Sequence, residues 1–273
     1  MRPTTPTVPD RARVLGCEID RLDMPAAVER CRQLIERHTV GQQLSVNAAK
    51  LVTLHRDPQL REIASRSALV NADGQAVVWA SWILGDPLPC RVAGIDLMAE
   101  LLALAEREDY SVFILGAREK ALETAVGRIR GRHPRLTIAG YHHGYFDDAG
   151  AEGDAIRAQM RTVKPDILFV AMSSPQKEYW LDEHGPRLGI PLLMGVGGSI
   201  DVIAGITRRA PRLWQQLGIE WLYRLIQEPR RMMRRYVTTN AIFIGLVLRE
   251  LLTGLPPRIL NWIGRNADTR SSD

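Results

Sequence analysis

The stretch ALVNADG, residues 68–74, has the pattern of a short apolar strand that ends at a carboxylate and a glycine. An Asn, Asp and Gly cluster after such a run ends a strand in a turn. In a parallel sheet, ligands bind in the crevice outside the carboxyl ends of the strands. Asp73 would then stand at the mouth of a site and carry a group able to accept a proton. An ordinary Asp-Gly turn is the alternative interpretation.

Strands and helices alternate along the chain on both sides of this stretch. Apolar runs such as Val112–Leu115, Ile167–Ala171 and Pro191–Met194 are separated by helical patterns of roughly 10 to 15 residues. Upstream, Gln43–Val46 predicts a strand that ends at Asn47. The alternation predicts an α/β fold, with a Rossmann-like, mainly parallel sheet and crossover helices.

Strand patterns disappear beyond residue 206. Pro211 can begin a helix, apolar residues then recur at helical spacing, and a second helix is predicted from Met232 to Leu252. Near the start of the chain, Arg13–Ile19 is predicted as one strand. We therefore expect a disordered N-terminus (1–12), an α/β catalytic domain (13–205), a basic helical appendage (206–260) and a disordered tail (261–273).

Basic charge is concentrated in the appendage. The chain carries a net charge of +5, and Arg208–Arg235 alone has eight arginines against two glutamates, a net +6. With Trp214, Trp221 and Tyr223, this segment is typical of an amphipathic helix that lies on an anionic membrane. A helix packed on the sheet with a solvated basic face is the alternative. No recognition motif accompanies the charge, so nucleic acid is not an expected partner.

Length and cysteine content narrow the class of protein further. The longest apolar run, Ala241–Leu248, is far shorter than the ~20 residues of a membrane span. The Thr- and Pro-rich start, residues 1–10, lacks the apolar segment of a signal peptide. Three scattered cysteines without C-x-x-C spacing predict reduced thiols in the cytoplasm, and neither a disulfide framework nor a zinc site.

Two further stretches at predicted strand ends suggest anion binding. In GVGGS, residues 195–199, the glycines would allow a phosphate close to the backbone; a tight turn capped by Ser199 is the alternative. In SSPQKE, residues 173–178, the hydroxyls, Gln176 and Lys177 would hold phosphate or sugar oxygens; a helix start capped by Ser174 is the alternative. The adjacent His142 and His143 lack metal-ligand spacing, so we expect a loop there and no metal.

These stretches, in this order, resemble the WecG/TagA/CpsF family of bacterial glycosyltransferases over about Val14–Tyr236. The motifs that carry the resemblance are Ser45-Val46-Asn47, Asn71-Ala72-Asp73-Gly74, Leu115-Gly116, Gly140-Tyr141 with Gly144-Tyr145-Phe146, Ser174-Pro175 with Glu178 and Trp180, and Gly195 to Asp201. The most specific are Arg209-Ala210-Pro211, Gly218 to Leu225, and Glu228-Pro229-Arg230-Arg231.

The resemblance implies an inverting, metal-independent enzyme without a cofactor, in which Asp73 is the base. Its donor would be a UDP-sugar and its acceptor a polyprenyl-diphosphate-linked sugar, on the inner face of the plasma membrane, in cell-surface polysaccharide synthesis. The residues expected to bind substrate are Ser45, Asn47, Gly116, Tyr145, Ser174, Gln176, Lys177, Gly197, Gly198, Arg209, Arg224, Arg230 and Arg231.

Lys177 is a departure from the family pattern, which has Gln at this position, and Ser45 replaces the usual Thr. The sequence therefore does not decide whether the transferred sugar is glucose, galactose, N-acetylmannosamine or its uronic acid. It also does not decide whether the chain self-associates. Two other functions remain as alternatives. A nicotinamide-dependent oxidoreductase would suit the sheet, although the dinucleotide fingerprint is missing. A non-catalytic peripheral membrane protein would suit the appendage.

Overall fold

A six-stranded parallel sheet forms the centre of the computed structural model, which describes residues 10–211, 214, 220–227 and 229–254. A two-stranded hairpin precedes this sheet. The strands, in chain order, are β1 (Arg11–Val14), β2 (Cys17–Asp20), β3 (Gly41–Val46), β4 (Leu69–Ala72), β5 (Ser111–Gly116), β6 (Thr137–His142), β7 (Ile167–Ala171) and β8 (Leu192–Gly195). The order across the sheet is β4-β3-β8-β7-β5-β6, as expected of an α/β fold with crossover helices.

Helices cover both faces of this sheet. They are α1 (Met24–Glu36), α2 (Ala48–Arg56), α3 (Pro58–Arg66), α4 (Gln75–Ile83), α5 (Gly94–Arg107), α6 (Glu119–Arg132), α7 (Ala151–Val163), α8 (Gln176–Leu188), α9 (Ser199–Ile203), α10 (Glu220–Gln227) and α11 (Pro229–Gly254). Ile114 packs with α1, α5 and α6, whereas its neighbour Phe113 packs with α7 and α8. Successive residues of a strand face opposite sides, so a strand buried on both faces is apolar throughout.

The hairpin corrects the prediction of a single strand from Arg13 to Ile19. β1 and β2 pair antiparallel around Leu15 and Gly16, both of which have a positive φ. Two such residues form the tight turn whose twist matches a hairpin, and Gly16 was the signal that the sequence interpretation missed. β1 begins at Arg11, inside the segment expected to be disordered, and Ala12 is fully buried. Residues 1–9 and the predicted tail, 261–273, lie outside the described residues.

The last described helix, α11, belongs to the core of the protein. Its side chains Phe243 and Val247 are buried in the same cluster as Leu51 and Val52 of α2. The expected boundary at residue 205 does lie between the last strand and the last helices. However, α11 packs into the same core as the sheet. Within the described part of the chain, no helix is both long and apolar enough to span a membrane.

We predict that Phe243→Ala lowers the free energy of unfolding by about 3 kcal/mol or more, because it removes a buried aromatic ring and leaves a cavity. Phe243 is 6% exposed, whereas its neighbour Ile244 is 56% exposed. Ile244→Ala is the matched control and should change stability by about 0.5 kcal/mol or less. Urea denaturation of both variants measures the difference. Equal effects would mean that α11 does not pack on α2 in solution.

Candidate active site

The parallel sheet brings the predicted strand-end motifs to one edge. β4, β3, β8 and β7 are consecutive neighbours in the sheet, so their carboxyl ends lie side by side. Asp73 follows β4, Asn47 follows β3, and the glycines of GVGGS follow β8. The stretch that contains Lys177 follows β7. The expected position of Asp73, at the carboxyl edge of a parallel sheet, is confirmed.

Asp73 is half-buried and held at two points. Its backbone N–H donates to Val46 O (2.8 Å), and its Oδ1 accepts a hydrogen bond from the N–H of Gly94 (2.7 Å). Gly94 is the first residue of α5, and the positive end of a helix dipole stabilises a carboxylate at that place. No described residue donates a hydrogen bond to Oδ2. The carboxylate therefore has one fixed oxygen and one oxygen available to a ligand.

Ser45 and Asn47 both lie next to the Asp73-Gly74 turn. A Cβ atom added at Gly94 would stand 2.9 Å from Ser45 Oγ and 3.9 Å from Asp73 Oδ1, so these groups share one small space. Asn47 is the N-cap of α2, and its side chain accepts a hydrogen bond from Lys50 N (3.0 Å). Sequence interpretation placed both residues in the site. The structure brings Ser45 close to Oδ1 of Asp73, and it brings Asn47 next to Gly74, where an added Cβ would lie 3.3 Å from Asn47 Cβ.

A buried charge cluster lies between α2 and α8. The ammonium groups of Lys50 and Lys177 both contact Oε1 of Glu178, the latter at 2.5 Å. The three side chains are 7%, 9% and 1% exposed, and none of the described residues donates a hydrogen bond to Oε2 of Glu178. Two buried cations thus share one carboxylate, a net charge of +1. Sequence interpretation did not single out Lys50, because Lys50 is 127 residues away from Lys177 along the chain.

Burial and charge act against each other on the pKa values of this cluster. Burial, together with the charge of Lys50, lowers the pKa of Lys177 to about 8. Burial alone would raise the pKa of Glu178, but the two neighbouring ammonium groups lower it below its usual value. Lys177 was expected to hold phosphate or sugar oxygens. The structure buries its side chain against Gly195, where an added Cβ would lie 2.7 Å from Lys177 Cε.

The two loops beside this cluster start helices without side-chain caps. In the loop after β8, Gly197 has φ +51°, and Ser199 donates to Val196 O rather than capping α9. A Cβ added at Gly198 would meet no atom of the described residues within 4 Å, and Gly198 is exposed. Pro175, and not Ser174, is the N-cap of α8. Ser174 and Gln176 are exposed at this edge of the sheet.

Gly116 and Tyr145 lie far from Asp73. Gly116 ends β5, which is four strands away from β4. With about 4.8 Å between strands, the distance along the sheet to Gly116 is ~19 Å. Tyr145 lies near Gly116, because its neighbour Gly144 donates a hydrogen bond to Ala117 O (2.9 Å). Gly116 has φ +119° and packs against Ala171, and Tyr145 is 70% exposed. These two residues cannot contact the same part of a ligand as Asp73.

His142 and His143 lie at this far end, and the structure adds Glu152 beside them. The three side chains can offer metal-ligand atoms within 4.8 Å of one another. However, Nδ1 of His142 contacts His143 O (2.9 Å), and Nδ1 of His143 accepts from Tyr145 N–H (3.3 Å). His142 is the last residue of β6, so the expected loop begins only at His143. Both rings nevertheless bond to the backbone of this segment, and we still expect no metal site here.

Arg209 reaches this site from the appendage, but carboxylates bind it. Its guanidinium makes two bonds to Asp96, at 2.5 and 2.7 Å, and the hydrogen bond with Asp96 raises its pKa. Glu220 of α10 lies 3.9 Å from Arg209 Nε and pairs with Arg91 at 3.0 Å. Sequence interpretation missed both acids as partners. The side chains of the other three predicted arginines, Arg224, Arg230 and Arg231, lie outside the described residues.

The depressed pKa of Lys177 predicts a pH-dependent contribution to stability. The pKa of Lys177 is about 8 in the folded chain, against a usual value of 10.5 in the unfolded chain. Between these two pH values, the unfolded chain holds a proton at Lys177 that the folded chain has lost. The folded state therefore gains stability as pH rises through that window. Between pH 7 and pH 10, the free energy of unfolding of the wild type should rise by on the order of 2 kcal/mol more than that of Lys177→Met.

Urea denaturation at the two pH values measures this gain. Lys120→Met is the matched control, because Lys120 is an exposed lysine on α6. It should keep the pH dependence of the wild type. The same pH dependence in Lys177→Met as in the wild type would contradict the burial of the ammonium group.

The chain is similar to known glycosyltransferases over most of its length. The family model described as "Glycosyl transferase WecG/TagA/CpsF family" matches residues 12–256. Two curated relatives, from Staphylococcus aureus strains MW2 and NCTC 8325 / PS 47, are each named N-acetylglucosaminyldiphosphoundecaprenol N-acetyl-beta-D-mannosaminyltransferase. Each is 33% identical over 225 residues, which cover 81% of this chain and 86% of the relative. A solved periplasmic substrate-binding protein from Ralstonia solanacearum aligns with a TM-score of only 0.30 and 15% identity, over 84% of this chain and 67% of that one.

Proposed function

The chain belongs to the WecG/TagA/CpsF family and is a glycosyltransferase, and from this premise we propose that it moves a sugar from a UDP-sugar to a polyprenyl-diphosphate-linked saccharide. The matched range, residues 12–256, includes both the sheet and the helices α10 and α11. The names of the relatives support an acceptor of this chemistry. The product would enter the synthesis of a cell-surface polysaccharide.

The position of Asp73 is the observation that carries this proposal. An inverting transfer needs a base that takes the proton of the acceptor hydroxyl as this oxygen attacks the sugar carbon. Gly94 N–H holds Oδ1 of Asp73, so the side chain is oriented before a substrate arrives. Oδ2 would then accept the proton. The alternative of a plain Asp-Gly turn would give this half-buried carboxylate only the structural role of binding Gly94 N–H.

The departing UDP needs positive charge and N–H groups near its diphosphate. We propose that the open backbone at Gly197 and Gly198 contacts a phosphate, and that the net positive cluster of Lys50, Lys177 and Glu178 supplies charge from beneath. Ser45, Asn47, Ser174 and Gln176 would bind sugar or nucleotide oxygens along the same edge. Gly116 and Tyr145 would contact only the far end of an extended ligand.

Arginines of the appendage would complete the site. We propose that Arg224, Arg230 and Arg231 contact the two diphosphates, of donor and lipid. Arg209, which is already paired with Asp96, would position the segment that carries them. A site completed only at the membrane would limit hydrolysis of the donor in its absence.

The names of the relatives make N-acetylmannosamine the first sugar to test. Lys177 stands where the family has Gln, so UDP-glucose, UDP-galactose and the uronic acid donor belong in the same panel. The test is transfer to a polyprenyl-diphosphate-linked N-acetylglucosamine, measured with each donor. The absence of transfer from every UDP-sugar would overturn the proposal.

Asp73→Asn should lower turnover by ~100-fold or more, because it keeps the size of the side chain and removes the base. Binding of UDP should persist, since Asp73 lies two strands away from the proposed phosphate site. Steady-state transfer and calorimetric UDP binding measure the two effects. Asp109→Asn, at an exposed carboxylate next to the opposite end of the sheet, is the matched control and should keep full activity. Activity of Asp73→Asn within a fewfold of wild type would reduce Asp73 to a turn residue.

The appendage should bind anionic lipid on the inner face of the plasma membrane. Changing Arg230, Arg231, Arg234 and Arg235 to Glu should abolish sedimentation with anionic vesicles, because each basic residue near the surface contributes about 1 kcal/mol. Salt should weaken binding of the wild type by screening.

A second fourfold variant separates position from net charge. Changing the exposed Arg107, Arg132, Arg135 and Arg161 to Glu makes the same change in net charge outside the appendage. This control should still sediment with anionic vesicles. Equal loss in both variants would show that overall charge alone attracts the protein to lipid.

A further inference from the structure

Residues 92–94 run as a strap along the edge of β4. The N–H of Val92 donates to Ala72 O (2.8 Å), and Val92 O accepts from Nδ2 of Asn71 (2.6 Å). Two residues later, Gly94 N–H donates to Oδ1 of Asp73. Three consecutive residues of one strand end, Asn71 to Asp73, thus each bond to the same short segment. The strap fixes the N–H that orients the proposed base.

Asn71 is the side chain that ties this strap to the sheet. It is 1% exposed, and it faces Ser45 on the neighbouring strand in the parallel register. Its Oδ1 accepts a hydrogen bond from Nε2 of Gln43 and lies 3.4 Å from Ser45 Oγ. Because these bonds fix the orientation of its amide, Nδ2 is directed at Val92 O. A buried amide bonded on both sides leaves little freedom of position.

The space around Gly94 shows how tightly this arrangement is set. A Cβ atom at Gly94 would lie 2.9 Å from Ser45 Oγ, a distance too short for any ordinary contact. The strap therefore lies directly on the side chain of Ser45 in β3. A small shift of the strap would move the N–H of Gly94 away from Asp73. Such a shift changes the direction of the base without touching the phosphate loop after β8.

We propose that Asn71 is a positioning residue, which sets the orientation of Asp73 through the strap of Val92 to Gly94. This inference rests on the proposed role of Asp73 as the base. Asn71 itself is buried and need not touch a substrate. Its contribution is to hold the carbonyl of Val92, so that the N–H of Gly94 stays in line with Oδ1.

Asn71→Asp is the sharpest test, because it keeps the oxygen that Gln43 binds and replaces the donor to Val92 O by a second oxygen. We expect kcat to fall by ~10-fold or more, since misplacing a reacting group by a fraction of an ångström is costly. The affinity for UDP, measured calorimetrically, should stay within twofold of the wild type. Gly94→Ala is a second variant that displaces the strap without adding a charge, and it should show the same pattern.

A double-mutant cycle separates positioning from general damage. In an Asp73→Asn background, Asn71→Asp should reduce the residual transfer rate by less than twofold, because there is no longer a base to orient. Equal losses in both backgrounds, or full activity of Asn71→Asp and Gly94→Ala, would overturn the inference. If Asp73→Asn itself keeps its activity, the proposed base fails instead, so the two failures are distinguishable.

Ser81→Ala is the matched control for the connection between α4 and α5. Ser81 is fully buried, and its hydroxyl accepts from Leu88 N in that same connection (2.9 Å), but it makes no bond to the strap. It should lose stability and keep its kcat. A loss of kcat in Ser81→Ala as large as in Asn71→Asp would show that any weakening of this connection lowers activity, and would overturn the specific role of Asn71.

Discussion

The hydrogen bond from Gly94 N–H to Asp73 Oδ1 joins the carboxyl end of β4 to the start of α5, around the carboxylate that we propose as the base. On one side, Asp73 continues β4 and is fixed by the parallel register of the sheet. On the other side, Gly94 opens α5, whose first turn also carries Asp96 and hence the pair with Arg209. A carboxylate at the end of a strand is common, but one whose oxygen is bound by the first residue of a helix is also oriented. The site that we propose is built around that orientation.

The buried cluster of Lys50, Lys177 and Glu178 has a different physical character. Removing charges from water is costly, and one carboxylate does not neutralise two ammonium groups. Such a cluster is weak evidence for stability, and its net charge is better explained by a ligand that brings negative charge. The open glycine backbone after β8 lies next to the stem of Lys177, which crosses Gly195. A diphosphate at those glycines would offset the excess charge, which gives the departure from Gln at residue 177 a chemical meaning.

The sequence predicted what is local and missed what depends on distant pairing. Apolar runs and helical spacing predicted the strands of the sheet and most helices, because burial imposes those patterns directly. Asp73 was found because a strand, an acid and a glycine are adjacent. The hairpin was missed because its turn contains Leu15, a residue that rarely adopts a positive φ. Asn71, Asp96 and Lys50 were not singled out as structural partners, because their bonding partners lie 21, 113 and 128 residues away.

The same distant pairs explain why the appendage cannot be treated as a separate tether. Arg209 pairs with Asp96, and Glu220 pairs with Arg91. These ion pairs attach the chain after β8 to the segment around Gly94, whose N–H orients Asp73. Farther along, α11 buries Phe243 against α2, the helix that begins at Asn47. Both attachments end on elements that start at the carboxyl edge of β3 or beside the edge strand β4. If the appendage binds a membrane as we propose, this binding would therefore act on elements that adjoin Asp73, the proposed base.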